Sequence, residues 1–401
     1  MRHMMAGVVM LAVLGCAVAA GAADWPNFLG PTRNGVAPDT GLNKDWAARA
    51  PRELWRVSLS DGGYAGPSVA DGKVFIVDHQ GANDIVRALR LEDGQQVWQC
   101  AYPDLAEANF GFTEATPVYA EGLLYICSRL GTIRCLNATD GNQVWSRSMM
   151  EEFGARAPGY LFAESVLVDG DRVVICTGAA DRNVIALDRM TGDLLWRGGN
   201  GEMPGYATAV PAEILGVKQY VICTGSSIIG VKADDGAVLW TIPWRNGAEV
   251  NASMPIVTGN SIFITSGYGI GCAMYDITQN GPVERWRNRD ISAHFSSPIY
   301  YNGYIYSNSD PGNLVCMAPE DGAVAWKQDG FEKGGLLIAD GVILALAGAT
   351  GDLVMAKADP AGYEELGRIT PLGGQSWTAP ILADGRLIVR NPSAMVCLDL
   401  R

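Results

Sequence analysis

The chain has 401 residues, 48% of them hydrophobic, with 49 Gly, 11 Trp and a formal net charge of −13. Apolar content on that scale supplies a large core, and abundant Gly with regularly placed Trp suits short strands joined by tight turns. The acidic balance, with no basic run anywhere, argues against nucleic acid as a partner, because holding phosphates needs a basic face.

Arg2, the apolar run from Met4 to Ala20 and the small residues up to Ala23 form the pattern of a secretory signal peptide over residues 1–23. The protein is therefore expected to be exported, periplasmic or extracellular. Cleavage after Ala23 would leave a soluble start at Asp24-Trp25-Pro26. A competing reading takes Val13-Leu14-Gly15-Cys16 as a lipoprotein box, which would anchor the chain through Cys16 and is the only route to peripheral membrane association. No later segment is long and apolar enough to span a bilayer: Leu336 to Ala349 is short and broken by Asp340 and Gly341. Residues 24–51 read as an N-terminal extension, and 52–401 as one repeat array.

Trp-ending strands set the repeat: Leu54-Trp55, Val97-Trp98, Val144-Trp145, Leu195-Trp196, Leu239-Trp240, Arg285-Trp286 and Ala325-Trp326, spaced by 43, 47, 51, 44, 46 and 40 residues. An eighth copy carries Leu366 in the Trp position. This period matches four-stranded propeller blades. Asp71-Gly72, Glu121-Gly122 and Asp340-Gly341 mark one turn of the unit, and Asp93-Gly94, Asp140-Gly141, Asp235-Gly236 and Asp321-Gly322 another. Such pairs supply the positive φ that tight hairpins need. No 3.6-residue periodicity lasts beyond about one turn, so almost no helix is expected. The last unit, from Trp377 to Leu400, has three strands, and Arg52–Val57 precedes the first complete unit. The expected fold is all-β: an eight-bladed propeller of four-stranded antiparallel blades, the last closed by the N-terminal strand. The repeated Trp would pack between blades.

The stretch Ala186-Leu187-Asp188-Arg189-Met190-Thr191-Gly192-Asp193-Leu194-Leu195-Trp196 resembles the repeat of the pyrroloquinoline-quinone (PQQ) propeller superfamily, through Ala186, Asp188, Thr191, Gly192 and Trp196. Cys135 to Trp145 and Gly230 to Trp240 match in part, and Asp24 to Gly35 is similar to the start of many exported bacterial members. The resemblance implies two branches. One is the BamB-like branch, eight-bladed scaffolds without a cofactor, to which length and blade count bring this chain closer. The other is the quinoprotein alcohol dehydrogenases, which bind PQQ and calcium. Many of those carry adjacent cysteines, and here no two are adjacent.

Of the eight cysteines after Ala23, Cys127, Cys176 and Cys223 end second strands, while Cys135, Cys316 and Cys397 occupy the position of Ala186. They read as small buried hydrophobes. One disulfide, Cys127–Cys135, is left open. No Cys/His spacing suggests zinc. Only His3, His79 and His294 are present, so a His-rich metal site is excluded. His79 reads as a solvated loop residue, and His294 as the one histidine placed for chemistry.

Entries to innermost strands face one mouth of a propeller. There Glu114, Glu164, Tyr206, Asn251, His294, Lys333 and Trp377, with Tyr64, Tyr160, Thr208, Ser253, Ser296 and Thr378, form a mixed polar and aromatic ring. They are the candidates for a small-ligand funnel, set against a water-filled channel with satisfied polar walls. Gly267-Tyr268-Gly269-Ile270-Gly271 reads as a hairpin turn, since no helix follows for a phosphate loop. The long connection Ser146 to Phe162 offers Glu151, Glu152, Phe153, Arg156 and Tyr160 for partner contact. The expected function is non-catalytic binding or scaffolding by a monomer with a protein partner, with no cofactor. The alternatives are a PQQ- and calcium-dependent oxidoreductase and a carbohydrate-binding propeller.

Overall fold

A computed structural model describes residues 24–106 and 110–401. The signal-peptide, lipid-box and Cys16 readings fall on residues 1–23, outside the described residues. Eight separate four-stranded sheets follow one another along the chain. Seven are continuous in sequence, from Ser68–Ala70, Lys73–Gln80, Asn83–Arg90 and Gln96–Pro103 in blade 1 to Leu336–Ala339, Val342–Ala347, Asp352–Lys357 and Glu365–Ile369 in blade 7. Blade 8 joins Ile381–Ala383, Arg386–Arg390 and Ala394–Asp399 to Arg52–Ser58, antiparallel from Arg52↔Asp399 to Ser58↔Ala394. The sequence expectation of an eight-bladed ring closed by the N-terminal strand holds.

Burial follows position in the blade. Third strands such as Asn313–Met317 are buried at every residue, because neighbouring blades cover both faces. Outer strands such as Val324–Asp329 alternate and are mostly exposed. Every outer-strand Trp lies directly across from a small or flexible residue of the third strand: Ala88↔Trp98, Cys135↔Trp145, Ala186↔Trp196 and Cys316↔Trp326. Trp145 shows the inter-blade contact. Its ring lies over Gly192 of blade 3, where an added Cβ would be 2.8 Å from ring atoms, and its Nε1 donates to Arg189 O at 2.9 Å. Trp55, Trp98, Trp196 and Trp286 repeat this on Gly94, Gly141, Gly236 and Gly322 of the following blade. Trp240 departs: its Nε1 donates to Gln219 of its own blade, and its ring fills the space a side chain at Gly230 would need. At the seam the following blade has no third-to-fourth turn, because its third strand, Ala394–Asp399, and its outer strand, Arg52–Ser58, are not consecutive in sequence. No turn glycine waits for a Trp, and Leu366 stands in that position. Trp46 of the extension instead packs on the adjacent Gly367.

Two further ties close the ring. Arg390 of blade 8 and Asp61, ahead of blade 1, form a fully buried pair at 3.0 Å, and Arg390 also donates to Gly63 O and Ala65 O. Residues 25–43 cross the ends of the innermost strands opposite their entries. Trp25 pairs with Val69, Arg33 donates to Val168 O, Val36 bridges Ile338, and Asn43 N donates to Leu400 O.

One expectation needs correction. His79 is not a solvated loop residue but lies buried in the second strand of blade 1. Its Nδ1 is 2.8 Å from Asp84 Oδ1, its Nε2 is 2.8 Å from Gly81 O, and its ring stacks on Phe112. The turn hides it because Phe112 folds over it. The long connection after blade 2 contains a helix, Met149–Phe153, with Ser148 as N-cap and Gly154 as left-handed C-cap. The Ser148-x-x-Glu151 spacing is a capping-box signature. Ser148 Oγ accepts from Glu151 N, while Glu152 reaches back to Ser148 N. Cys127 and Cys135 are free thiols, as are the other six described cysteines, in line with their reading as small buried hydrophobes. Cys127 faces Ile133 and Cys135 faces Tyr125 across the ladder, so the two sit diagonally, beyond disulfide reach.

Gly192→Ala should cost about 2–3 kcal/mol in urea unfolding, since it meets the Trp145 ring and requires positive φ. Gly170→Ala, at similar φ but with open space around it, should cost about 1 kcal/mol. Arg390→Met should cost about 3–5 kcal/mol by stranding Asp61, and Asp61→Leu in the same chain should recover part of the loss.

Candidate functional site

Innermost strands carry the chain away from one mouth, and the residues just before them line that mouth. The position four residues ahead of the strand faces the channel in seven blades: Tyr64, Glu114, Ala163, Tyr206, Ala252, Phe295 and Trp377. They surround a cavity of about 270 Å³. Its opposite end is lined by Phe28 and Leu29, delivered by the extension that crosses there. The channel is therefore a funnel with an apolar floor.

Side-chain direction separates the sequence candidates. Glu114, Tyr206, His294, Lys333 and Trp377 line the cavity, as do Tyr64, Tyr160, Thr208, Ser296 and Thr378. Glu164, Asn251 and Ser253 do not. Glu164 is three residues ahead of its strand where Glu114 is four, and a one-residue offset in extended chain turns the side chain to the other face. Glu164 lies buried in the wall, with one oxygen 3.3 Å from Cys176 N and the other without a partner. Burial holds its carboxyl well above the usual range. Asn251 is a fastener: its amide donates to Thr224 O and Trp244 O, and its carbonyl accepts from Asn246 and Ser266.

Sequence reasoning missed Phe110, Arg129, Tyr268 and Phe295. The missed signal was the turn between second and third strands, which faces the same mouth. Arg129 and Tyr268 occupy that turn in blades 2 and 5. Arg129 is buried. Its Nη1 lies 2.7 Å from Glu114 Oε1, and its Nη2 donates to Tyr160 O at 2.6 Å. Burial pushes the Glu114 carboxyl up to about 7, against the pull of Arg129.

Aromatic rings form a collar above this pair. Tyr64 stacks on Trp377 at 5.1 Å, and Trp377 meets Phe295 at 5.2 Å and Phe110 at 6.2 Å. The series continues through Phe110–Tyr160–Tyr206 and through Phe295–His294–Tyr268. Lys333 Nζ lies 5.7 Å above the Trp377 ring. His294 Nδ1 stands 3.6 Å from Asp310, too far for a hydrogen bond, and no serine is bonded to its ring.

The partner-loop candidates divide as well. Glu151 and Glu152 are exposed on the helix, but Phe153 is buried between blades 2 and 3. Arg156 ties the loop down through Gly178 O and Gly201 O, and Tyr160 belongs to the collar.

Calcium takes six to eight oxygen ligands. Among the described residues the funnel offers one carboxylate, Glu114, already paired with Arg129, while Glu164 and Asn251 face elsewhere. Among the described residues no cluster of three His, Cys, Asp or Glu is placed to hold a metal. The residues present do not fit a calcium–quinone centre.

Fold and funnel define an eight-bladed propeller of the PQQ-repeat class. Residues 82–328 match the family model described as outer membrane protein assembly factor BamB, and the chain belongs to that family. Outer membrane protein assembly factor BamB of Yersinia pestis is 22% identical over 365 residues, covering 83% of this chain and 86% of that protein. The solved BamB of Moraxella catarrhalis superposes with a TM-score of 0.64 at 16% identity, over 88% of this chain and 98% of that one. A quinohemoprotein alcohol dehydrogenase from Comamonas testosteroni reaches 0.72 at 14% identity, over 94% and 80%. Likeness at such identity shows the shared propeller alone.

Glu114, Glu164 and Asp84, the last pushed up to about 6 by burial, all bind protons more tightly folded than unfolded. Their stabilising effect is complete below the ordinary carboxyl values and is lost as pH rises through the folded ones. The thermal midpoint should therefore be higher at pH 5 than at pH 8 in a fluorimetric scan, and Glu114→Gln should flatten that slope.

Proposed function

We propose that this chain is an exported, non-catalytic scaffold that serves outer-membrane protein assembly, the task its relatives' name describes, by holding a protein partner on the mouth-side loops of blades 1 and 2. One observation carries the reading: apolar side chains stand in solvent there. Leu105 is 73% exposed, and Leu130 and Met150 are each 44% exposed. The helix bearing Met150 packs on the turn bearing Leu130, since Met149 N donates to Gly131 O. Exposed apolar side chains grouped on rigid loops mark interaction surfaces. Glu151 and Glu152 give this patch an acidic edge. The poor fit to calcium and quinone also favours a scaffold over an oxidoreductase. Family relatives named as assembly factors support the periplasmic setting.

The test uses the tagged chain expressed in its own cell envelope, with co-purifying proteins identified by mass spectrometry. Leu130→Asp with Met150→Asp should remove the outer-membrane assembly partner without shifting the thermal midpoint. Deleting Glu151–Arg156 is a poorer test, because it removes the buried Phe153. Unchanged partner recovery from the double variant would count against this surface. Titration with PQQ plus calcium should give no heat and no new absorption band, and a tight coloured complex would replace the scaffold reading with the oxidoreductase one.

A further inference from the structure

Four features of the funnel point to an occupant. The first is charge. In a chain of net charge −13, the cavity lining holds, among the described residues, two cations, Arg129 and Lys333, against one carboxylate, Glu114. The second is an uncommitted cation. Lys333 lines the cavity with its Nζ 5.7 Å over the Trp377 ring, and among the described residues no carboxylate pairs with it. The third is backbone strain. Tyr206 and Lys333 line the cavity with φ of 80° and 41°. Bulky residues rarely adopt this region outside turns, and such conformations gather at sites that need a side chain aimed in one direction. The fourth is wall chemistry: an aromatic collar, small residues such as Ala163 and Ala207 below it, and Phe28 and Leu29 at the floor.

From these observations we propose that the funnel binds a small organic anion with a flat apolar body, of the aryl-acetate class, its ring within the collar and its carboxylate toward Arg129 and Lys333. The site needs no metal and no quinone. It is separate from the partner surface, which uses side chains outside the funnel. The Glu114 carboxyl competes with the ligand for Arg129. The charged and titratable groups around Glu114 are Arg129 beside it, Asp61 and Arg390 nearby, and Tyr64 at the equivalent position of the neighbouring blade. Protonating Glu114 releases Arg129, so the anion binds more tightly at pH 6 than at pH 8.

Isothermal titration of the whole protein with indole-3-acetate, its neutral analogue indole-3-ethanol, and acetate tests the assignment. Indole-3-acetate should bind. Indole-3-ethanol should bind about tenfold more weakly or worse, and acetate should not bind. Lys333→Gln, a change at a half-exposed residue, should bring the acid down toward the alcohol with the thermal midpoint unchanged. Tyr268→Gly, which relieves positive φ while removing a ring, should weaken both indoles alike. Equal affinity for acid and alcohol would overturn the proposal, as would no binding by either indole. Binding of a hexose or of PQQ with calcium in place of the indoles would also overturn it, and would assign the funnel to that ligand class. Loss of the partner with indole binding intact would leave this proposal standing while testing the scaffold reading separately.

Discussion

The ring depends on a tryptophan lying over a glycine of the next blade. The indole covers a turn whose glycine has no side chain to obstruct it, and the indole N–H satisfies a carbonyl three residues before that glycine, as with Trp145, Arg189 and Gly192. One contact thus combines apolar burial with a hydrogen bond that the buried N–H would otherwise lack. Positive φ and the ring both require glycine, so the turn motif and the packing motif are one constraint. Where the constraint lapses, the sequence changes with it. At the seam no turn is available, Leu366 replaces Trp, and Trp46 from the extension covers Gly367.

Closing the ring creates the funnel, and the segment ahead of the first strand finishes it. Residues 25–43 cross one end and place Phe28 and Leu29 across the channel. The opposite mouth keeps its aromatic collar and the Glu114–Arg129 pair. The scaffold surface and the funnel thus share one face of the molecule but not the same side chains. The rigid blades support both: loops on one side of the mouth carry exposed apolar groups, and strand entries carry inward-pointing ones.

Much of this was legible in the residues. Period, blade count, closure and the packing role of Trp follow from a motif repeated every 40–51 residues. The free thiols were legible too, because Cys135, Cys316 and Cys397 fall at the position across from Trp that Ala88 and Ala186 fill in other blades. The site was legible only in part. Tyr206, Lys333 and Trp377 stood out as strand-entry residues, but Glu164 and Asn251 looked equivalent to Glu114 until the strand starts were known. The helix at Met149–Phe153 was signalled by Ser148 and Glu151, and its five residues are too short for a periodicity to show.

What the sequence by itself determined is the local and repeated part: strands, turns and the glycine–tryptophan pairing that counts out eight blades. These are set by neighbours within one unit, and repetition makes a weak local signal strong. Only the tertiary structure decided which way each mouth residue points, that Arg129 meets Glu114, that His79 is buried under Phe112, and that Phe28 and Leu29 line the channel. Those outcomes rest on strand registers that a one-residue shift would invert, and on contacts between blades far apart in sequence. Neither exists until the ring is closed.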